Sequence, residues 1–297
     1  MHILRHLAPI LLTFPVLLSA QEYRGTILGR VSDPSGSVIV GAAIQVVNID
    51  TNIVTKTSSN ELGNYVVPFL IPGNYRVTVG HQGFKKAERE GLRVSTDVRI
   101  TLDFTLELGA TTESVTVTAG APLLNTAGAD LGQVVESVYV LMTPVALNRN
   151  ALNVTQLAPG ITGSTGTYTS ESQSNFRMSG GGATSYGNEI LVDGLPNAVP
   201  RAAQAIFYMP TLDATEEVKI YTTLFDAAYG RSNGGVVNIT TKSGTNKLHG
   251  ALYEFKRWKV LNANSWSNNR LGLPKTPVNY YQWGYTVGGP VYLPRIY

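Results

Sequence analysis

Between Val98 and Leu108 the chain alternates without a fault. Val98, Ile100, Leu102, Phe104, Leu106 and Leu108 face one way, and Arg99, Thr101, Asp103, Thr105 and Glu107 the other. A period of two predicts a half-buried strand. Strands are also predicted over residues 26–31, 43–49, 53–58, 65–70 and 74–79. The breaks between them carry turn chemistry: Asp33-Pro34-Ser35-Gly36, Gly63-Asn64 and Pro72-Gly73. Proline pre-sets φ at such turns and glycine accepts a positive φ. Six short strands at fairly regular spacing predict a β-sandwich.

The stretch "ESVTVTA", Glu113 to Ala119, alternates too. It stands alone, after Leu108-Gly109-Ala110 and before the breakers Gly120 and Pro122. The pattern shows no partner strand for it in its own chain. Residues 148–157 read as a short helix leading to Pro159-Gly160, and a polar Gly/Ser/Thr-rich stretch fills 162–182. Such a stretch buries little apolar surface. Further strands are predicted over 189–192, closed by Asp193-Gly194, and over 216–222 and 236–241. Two last strands, 249–257 and 281–287, approach the ~9–11 residues of a tilted transmembrane strand. Aromatic residues crowd around them, including Tyr253, Phe255, Trp258, Trp266, Trp283 and Tyr285, and this region holds all three tryptophans of the chain. Aromatic girdles at both interfaces are expected of outer-membrane barrels.

Composition sharpens this picture. Charged residues make up 14% of the 297, well below the usual ~25%. Glycine is abundant, with 30 residues, Thr, Val, Asn, Ser and Tyr are common, and long runs of Ala, Leu, Glu and Lys are missing, which favours strands and turns over helices. The net charge of +3 is scattered and forms no basic patch, so no nucleic-acid partner is expected. The absence of cysteine excludes disulfides, thiolate metal sites, a cysteine nucleophile and an acylated cysteine. At the start, His2, Arg5 and His6 precede an apolar run over 7–18, and Ser19-Ala20 follows. That is a secretory signal cleaved near Ala20, too short for the ~20 residues of a spanning helix.

Catalytic constellations are missing. His81 and His249 stand alone, with no paired-ligand spacing. Gly230-Arg231-Ser232-Asn233-Gly234 spells a nucleophile elbow, but a strand follows where a helix is needed and no acid lies between Ser232 and His249. Asp50, Asp97, Asp103 and Asp193 read as turn-formers. No enzyme, cofactor or metal is expected.

Two sets of segments carry resemblances. "GRVSDPSGSVIVGAAIQVVN", "ELGNYVVPFLIPGNYRVTV" and Gly83-Phe84 resemble the carboxypeptidase regulatory-like domain, a transthyretin-like sandwich sometimes described as carbohydrate-binding-like. Tyr65, Phe69, Tyr75 and Phe84 are read as core rather than as a stacking platform. "NFRMSGGG", "EILVDGLP", "MPTLDATEEVKIYT" and "AAYGRSNGGVVNITTKSG", in that order, resemble the plug of TonB-dependent outer-membrane receptors. "TKSGTNKLHGALYEFKRW" and "GGPVYLPRIY" resemble the junction of plug and barrel in their Oar-like branch. In the first plug segment Met178 and Ser179 separate Arg177 from Gly180, so no substrate role is assigned to that loop.

The expected fold is therefore mainly β. A signal peptide (1–20) precedes a transthyretin-like β-sandwich (21–108), a linker (109–120), a mixed α+β plug domain (121–243) and the first strands of an incomplete outer-membrane β-barrel (244–297). A closed barrel needs at least about 8 strands, and two or three fit here. By resemblance, the whole is part of a receptor for energised uptake of an unknown extracellular substrate. It would lie in the outer membrane against lipid, with sandwich and plug on the periplasmic side. Glu113, Ser114, Val115, Thr116, Val117, Thr118 and Ala119 resemble the TonB box, which TonB accepts as an added strand. The segment also reads as a last strand of the sandwich or a first strand of the plug. The rival function is a secreted or surface glycan-binding adhesion module.

Overall fold

The computed structural model describes residues 22–109, 114–118, 131–142, 151–162, 177–178, 188–199, 205–206, 208–223, 225–227, 229, 232, 234–277 and 279–291. The predicted signal sequence lies outside them.

The sandwich is built from β1 (Gly25–Ser32), β2 (Ala43–Asn48), β3 (Val54–Ser58), β4 (Asn64–Leu70), β5 (Gly73–Gly80), β6 (Lys86–Val94), β7 (Arg99–Thr101), β8 (Phe104–Thr105) and β9 (Ser114–Thr118). One sheet runs β4-β1-β7, with β8 also on β1; the other runs β3-β2-β5-β6-β9. The inner faces meet over Ile27, Ile44, Val46, Val67, Val77, Val79 and Leu106, all buried in one apolar cluster. Tyr65 is buried among them and donates its hydroxyl to the Leu102 carbonyl at 2.6 Å. That burial, with the Asp103 carboxylate nearby, raises the Tyr65 pKa.

Two strand predictions need correction. The single strand expected over 98–108 is two, β7 and β8, both parallel to β1. Between them Asp103 turns its carboxylate onto the Arg30 amide at 2.7 Å. The Leu102 carbonyl packs against Gly29, where any Cβ would overlap it. The alternation still sorts the side chains: Ile100, Leu102, Phe104 and Leu106 are buried, and Leu108 is exposed. The pattern also missed β6, "KAEREGLRV". Gly91, at φ +73°, forms a bulge that shifts the register against β5. Inward positions therefore pass from Ala87 to Leu92 and Val94, and period-two reading fails across the break.

The next unit contains β10 (Leu131–Glu136), α1 (Ser137–Met142), a 3₁₀ turn over Ala151–Leu157, β11 (Ile161–Thr162), β12 (Arg177–Met178), β13 (Glu189–Val192), β14 (Leu195–Pro196), β15 (Ala198–Val199), β16 (Ala205–Ile206), β17 (Thr215–Thr223) and β18 (Val236–Thr241). The helix expected over 148–157 is thus 3₁₀ where it is described. The central sheet runs β10-β17-β18-β13-β14. Val218, Ile220, Val237 and Ile239 point to one face, and pack with Val140 of α1 and with Leu152 and Val154.

Last comes a hairpin of β19 (His249–Arg257) and β20 (Tyr280–Gly288), in register from His249↔Gly288 to Arg257↔Tyr280. A short α2 (Trp266–Arg270) lies between, with the Ser265 hydroxyl accepting from the Asn268 amide. Leu252, Tyr281, Trp283, Tyr285 and Val287 are all exposed on one face. On the other, the Tyr253 ring lies over Gly284, where a Cβ would collide with it. No helix among the described residues is long and apolar enough to cross a membrane. That criterion does not concern strands.

The buried cluster of the sandwich draws on residues 27–106 alone, so residues 22–109 are expected to unfold cooperatively on their own. Within that fragment Leu106→Ala is expected to cost about 2–5 kcal/mol. Leu108→Ala, at 74% exposure, should stay within about 0.5 kcal/mol. Denaturant melts followed by circular dichroism check both, and a non-cooperative melt of the fragment would refute the premise.

Candidate partner-binding site

The alternation of β-branched residues in Ser114–Thr118 does make a strand. Its partner is inside the chain. β9 runs parallel to β6, from Lys86↔Ser114 to Glu90↔Thr118, and ends the sheet β3-β2-β5-β6-β9. The expectation of a strand with no partner of its own is corrected here, and the reason is the missed β6. Glu113 and Ala119 lie outside the described residues. A strand pairs along two edges. β6 occupies one edge of β9, and no described strand occupies the other.

The far end of β6 reaches a second, polar junction. β17 alternates: Val218 and Ile220 enter the apolar core, while Glu217, Lys219 and Tyr221 point the opposite way and are also buried. Neighbouring β18 adds Asn238 and Thr240, buried likewise. The register of β17 on β18 slips between Thr215 and Glu217, and both Glu216 and Glu217 engage the sandwich. Buried charges and amides must find partners or cost several kcal/mol.

The end of β6 and the turn after it supply partners for Glu216, Glu217, Lys219, Tyr221 and Thr240. Arg93 Nη2 donates to Glu216 Oε1 at 2.9 Å. The Thr96 amide donates to Glu217 Oε1, and the Thr96 and Thr240 hydroxyls lie 2.6 Å apart. Lys219 Nζ donates to the Asp97 carbonyl at 2.7 Å and lies 3.9 Å from Asp97 Oδ2. That same Oδ2 accepts from the hydroxyls of Tyr221 and Tyr229, the latter at 2.9 Å. Asp97 holds this position at φ +51°, a region that Asp and Asn enter more readily than other side chains with a Cβ. A second tie forms at the β2–β3 turn. There Asn246 donates its amide to the Asp50 carbonyl at 3.0 Å and its side chain to the Thr51 carbonyl at 2.6 Å.

The other singled-out residues fall elsewhere. Asp193, at φ +50°, accepts from the amide and hydroxyl of Thr241 and closes the β13–β14 turn. Ser232 donates its hydroxyl to the Gly235 carbonyl at 2.6 Å. Tyr65 and Tyr75 are buried, while Phe69 is exposed under the Arg24 guanidinium, 4.7 Å away. Phe84 packs partly buried against the sandwich core, so the core reading holds for Tyr65, Tyr75 and Phe84 and is corrected for Phe69. Asp97 was legible only as a turn residue. Its contacts lie more than 120 positions away, and no local pattern encodes that. The one available signal was Glu217 and Lys219 set between apolar residues in a strand.

Three protein-family models match. The carboxypeptidase regulatory-like domain covers 26–107, the TonB-dependent receptor plug domain 130–237 and the outer membrane beta barrel domain 240–297. The chain thus carries the plug domain of the TonB-dependent receptors, between a regulatory-like domain and an outer membrane barrel segment. The plug and barrel matches place it in the outer membrane. It is similar to the TonB-dependent transporter Oar of Myxococcus xanthus, with 28% identity over 287 residues. That alignment takes in 90% of this chain and 25% of the relative, so the chain spans about a quarter of that protein's length. Among solved structures, the siderophore receptor PirA of Pseudomonas aeruginosa aligns at 18% identity and TM-score 0.39, over 54% of this chain and 24% of its own. The outer membrane transporter YddB of Escherichia coli aligns at 18% and 0.40, over 52% and 23%. The seam thus joins the regulatory-like part of the chain to its plug, and the exposed aromatic face belongs to its barrel segment.

Glu217 makes the seam sensitive to pH. Burial raises its pKa above the ordinary 4.5, against the opposing hydrogen bonds from Thr96 and the Arg93 charge; Glu216 adds to the rise. An acid with a raised native pKa binds its proton more tightly folded than unfolded. Its contribution is therefore full below pH 4.5 and is lost as pH climbs through the raised native value. Glu217→Gln keeps an acceptor for the Thr96 amide and has no charge to bury. Its stability advantage over the parent should grow with pH above 4.5, by at most about 1.4 kcal/mol per pH unit, and then level off. Chemical unfolding of the detergent-solubilised chain across that range measures it. An advantage that shrinks with rising pH would show the sign to be wrong.

Proposed function

We propose that this chain is part of a receptor that imports an extracellular substrate across the outer membrane with energy supplied through TonB. Residues 113–119 are the strand that TonB takes up, and sandwich and plug face the periplasm. The observation that carries this reading is that Ser114–Thr118, which lies in sequence between the regulatory-like and plug matches, is an edge strand among the described residues. An edge strand presents unpaired amides and carbonyls to any chain that lies beside it. Strand addition draws affinity from main-chain hydrogen bonds and register from alternate side chains. The segment meets both demands, with β-branched Val115, Thr116, Val117 and Thr118. The chain carries no catalytic function in this reading.

Proline tests the strand directly, because it deletes one amide donor. Successive amides along a strand point to opposite edges, so a partner on one edge uses every second donor. Each bond contributes roughly 0.5–1.5 kcal/mol net, which is a two- to tenfold change in affinity. Peptides spanning 109–125, with single prolines at Ser114, Val115, Thr116, Val117 and Thr118, are titrated with the C-terminal domain of TonB. Loss is expected to follow one parity, either 115 and 117 or 114, 116 and 118. A parent peptide that fails to bind, or a series that binds uniformly, removes the partner-strand assignment.

A further inference from the structure

β6 belongs to two junctions at once. Its first five residues, Lys86 to Glu90, carry β9. Its other end and the turn that follows, through Arg93, Thr96 and Asp97, hold β17, β18 and Tyr229. We infer that the sandwich has a function of its own as a coupler: β6 links the state of the 114–118 strand to the grip of Asp97 on the plug. The purpose of this coupling rests on the reading of 113–119 as the partner's strand, but the coupling itself does not.

The two ends of β6 are close. Glu90 and Arg93 are three positions apart, about 10 Å along a strand. The Gly91 bulge lies between them. An edge strand that loses its neighbour loses half of its ladder bonds and gains freedom to twist. The bulge concentrates that freedom one turn away from the seam. At the seam the contacts are directional. Asp97 Oδ2 accepts two tyrosine hydroxyls, and Lys219 sits between the carbonyl and the carboxylate of one residue. Hydrogen bonds weaken steeply as their angles close, so a small rotation of the 93–97 turn disturbs several at once.

The chemistry of the seam also suits release. Within each domain the core is apolar, and opening it would expose hydrophobic surface. Here the facing groups are Arg93, Thr96 and Asp97 on one side and Glu216, Glu217, Lys219, Tyr221, Tyr229 and Thr240 on the other. Water can replace most of their bonds when the seam opens, which keeps the net cost modest. The plug residues held are informative. Tyr229 and Thr240 lie in the segment "AAYGRSNGGVVNITTKSG", which resembles the plug. A loosened Asp97 frees that segment from the sandwich side.

Amide exchange on the full, detergent-solubilised chain tests the coupling without any partner. Thr116→Pro and Val117→Pro are made separately, so that one of them removes a bond between β9 and β6. In that variant the amides of residues 215–223 should exchange about fivefold faster or more, while those of β2 and β5 stay protected and report an intact sandwich. Asp97→Asn, which retains the backbone preference at φ +51°, should speed the same β17 amides. If β6 loses protection in a proline variant and the β17 amides do not change, the coupling is overturned. TonB then decides the other question separately. By reciprocity of linkage, Asp97→Asn should tighten binding of the full chain to the TonB C-terminal domain and leave the affinity of the 109–125 peptide unchanged. Equal affinity of parent and Asp97→Asn chains would also overturn the coupling. A peptide and chain that both fail to bind, with the exchange result intact, would leave the coupler standing and remove the partner-strand reading.

Discussion

The seam between sandwich and plug is centred on a buried lysine finding a carboxylate. Lys219 is 4% exposed, on a strand whose alternate residues fill an apolar core. It cannot be left there alone, since an uncompensated buried charge costs more than most single contacts supply. Asp97 answers it from another domain, with a carbonyl and a carboxylate, and the same carboxylate gathers Tyr221 and Tyr229. The plug sheet therefore has two differently solvated faces. One is satisfied by its own helix and 3₁₀ turn. The other is completed by the sandwich.

This arrangement separates stability from attachment. The sandwich cluster and the plug cluster share no residue, so each domain holds its own apolar core. Attachment is left to polar groups, which define a register more sharply than they stabilise. Glu217 shows the cost of that choice. One of its oxygens takes the Thr96 amide, and the other, Oε2, is buried without a hydrogen-bond partner. A well-packed hydrophobic pair at the same place would be expected to hold at least as firmly. The polar version is more demanding of geometry and more readily undone.

The sequence made the sandwich legible almost strand by strand, because its turns use Pro, Gly and Asp where φ demands them and its faces alternate. It failed at β6 for a definite reason. Five of its nine residues are charged, and the Gly91 bulge reverses which parity points inward. With β6 unseen, Ser114–Thr118 had nothing to pair with and pointed outward to a partner protein. The strand character of that segment is legible, and so is the alternative of a last strand of the sandwich, which the structure shows; the particular neighbour is not, since period two states that a strand wants a neighbour without naming one. The seam was illegible in a deeper sense. Asp97 looks like any turn aspartate, and its importance comes from residues more than 120 positions away.

The terminal hairpin obeys the same alternation with the opposite sense. In β5, Tyr75, Val77 and Val79 go inside and the polar residues go out. In β20, Tyr281, Trp283, Tyr285 and Val287 are the exposed set, and the half-buried face holds Gln282, Gly284 and Thr286. In water such a face is a liability. Against hydrocarbon it is the stable choice, provided every backbone group is paired by neighbouring strands. One chain thus carries both senses of the alternation, and the change falls just after β18, where the plug ends. That constrains the seam. It belongs to the part of the chain whose apolar residues turn inward, so its buried polar groups can exchange partners with solvent. The same groups buried against hydrocarbon would have no such exchange and would lock permanently.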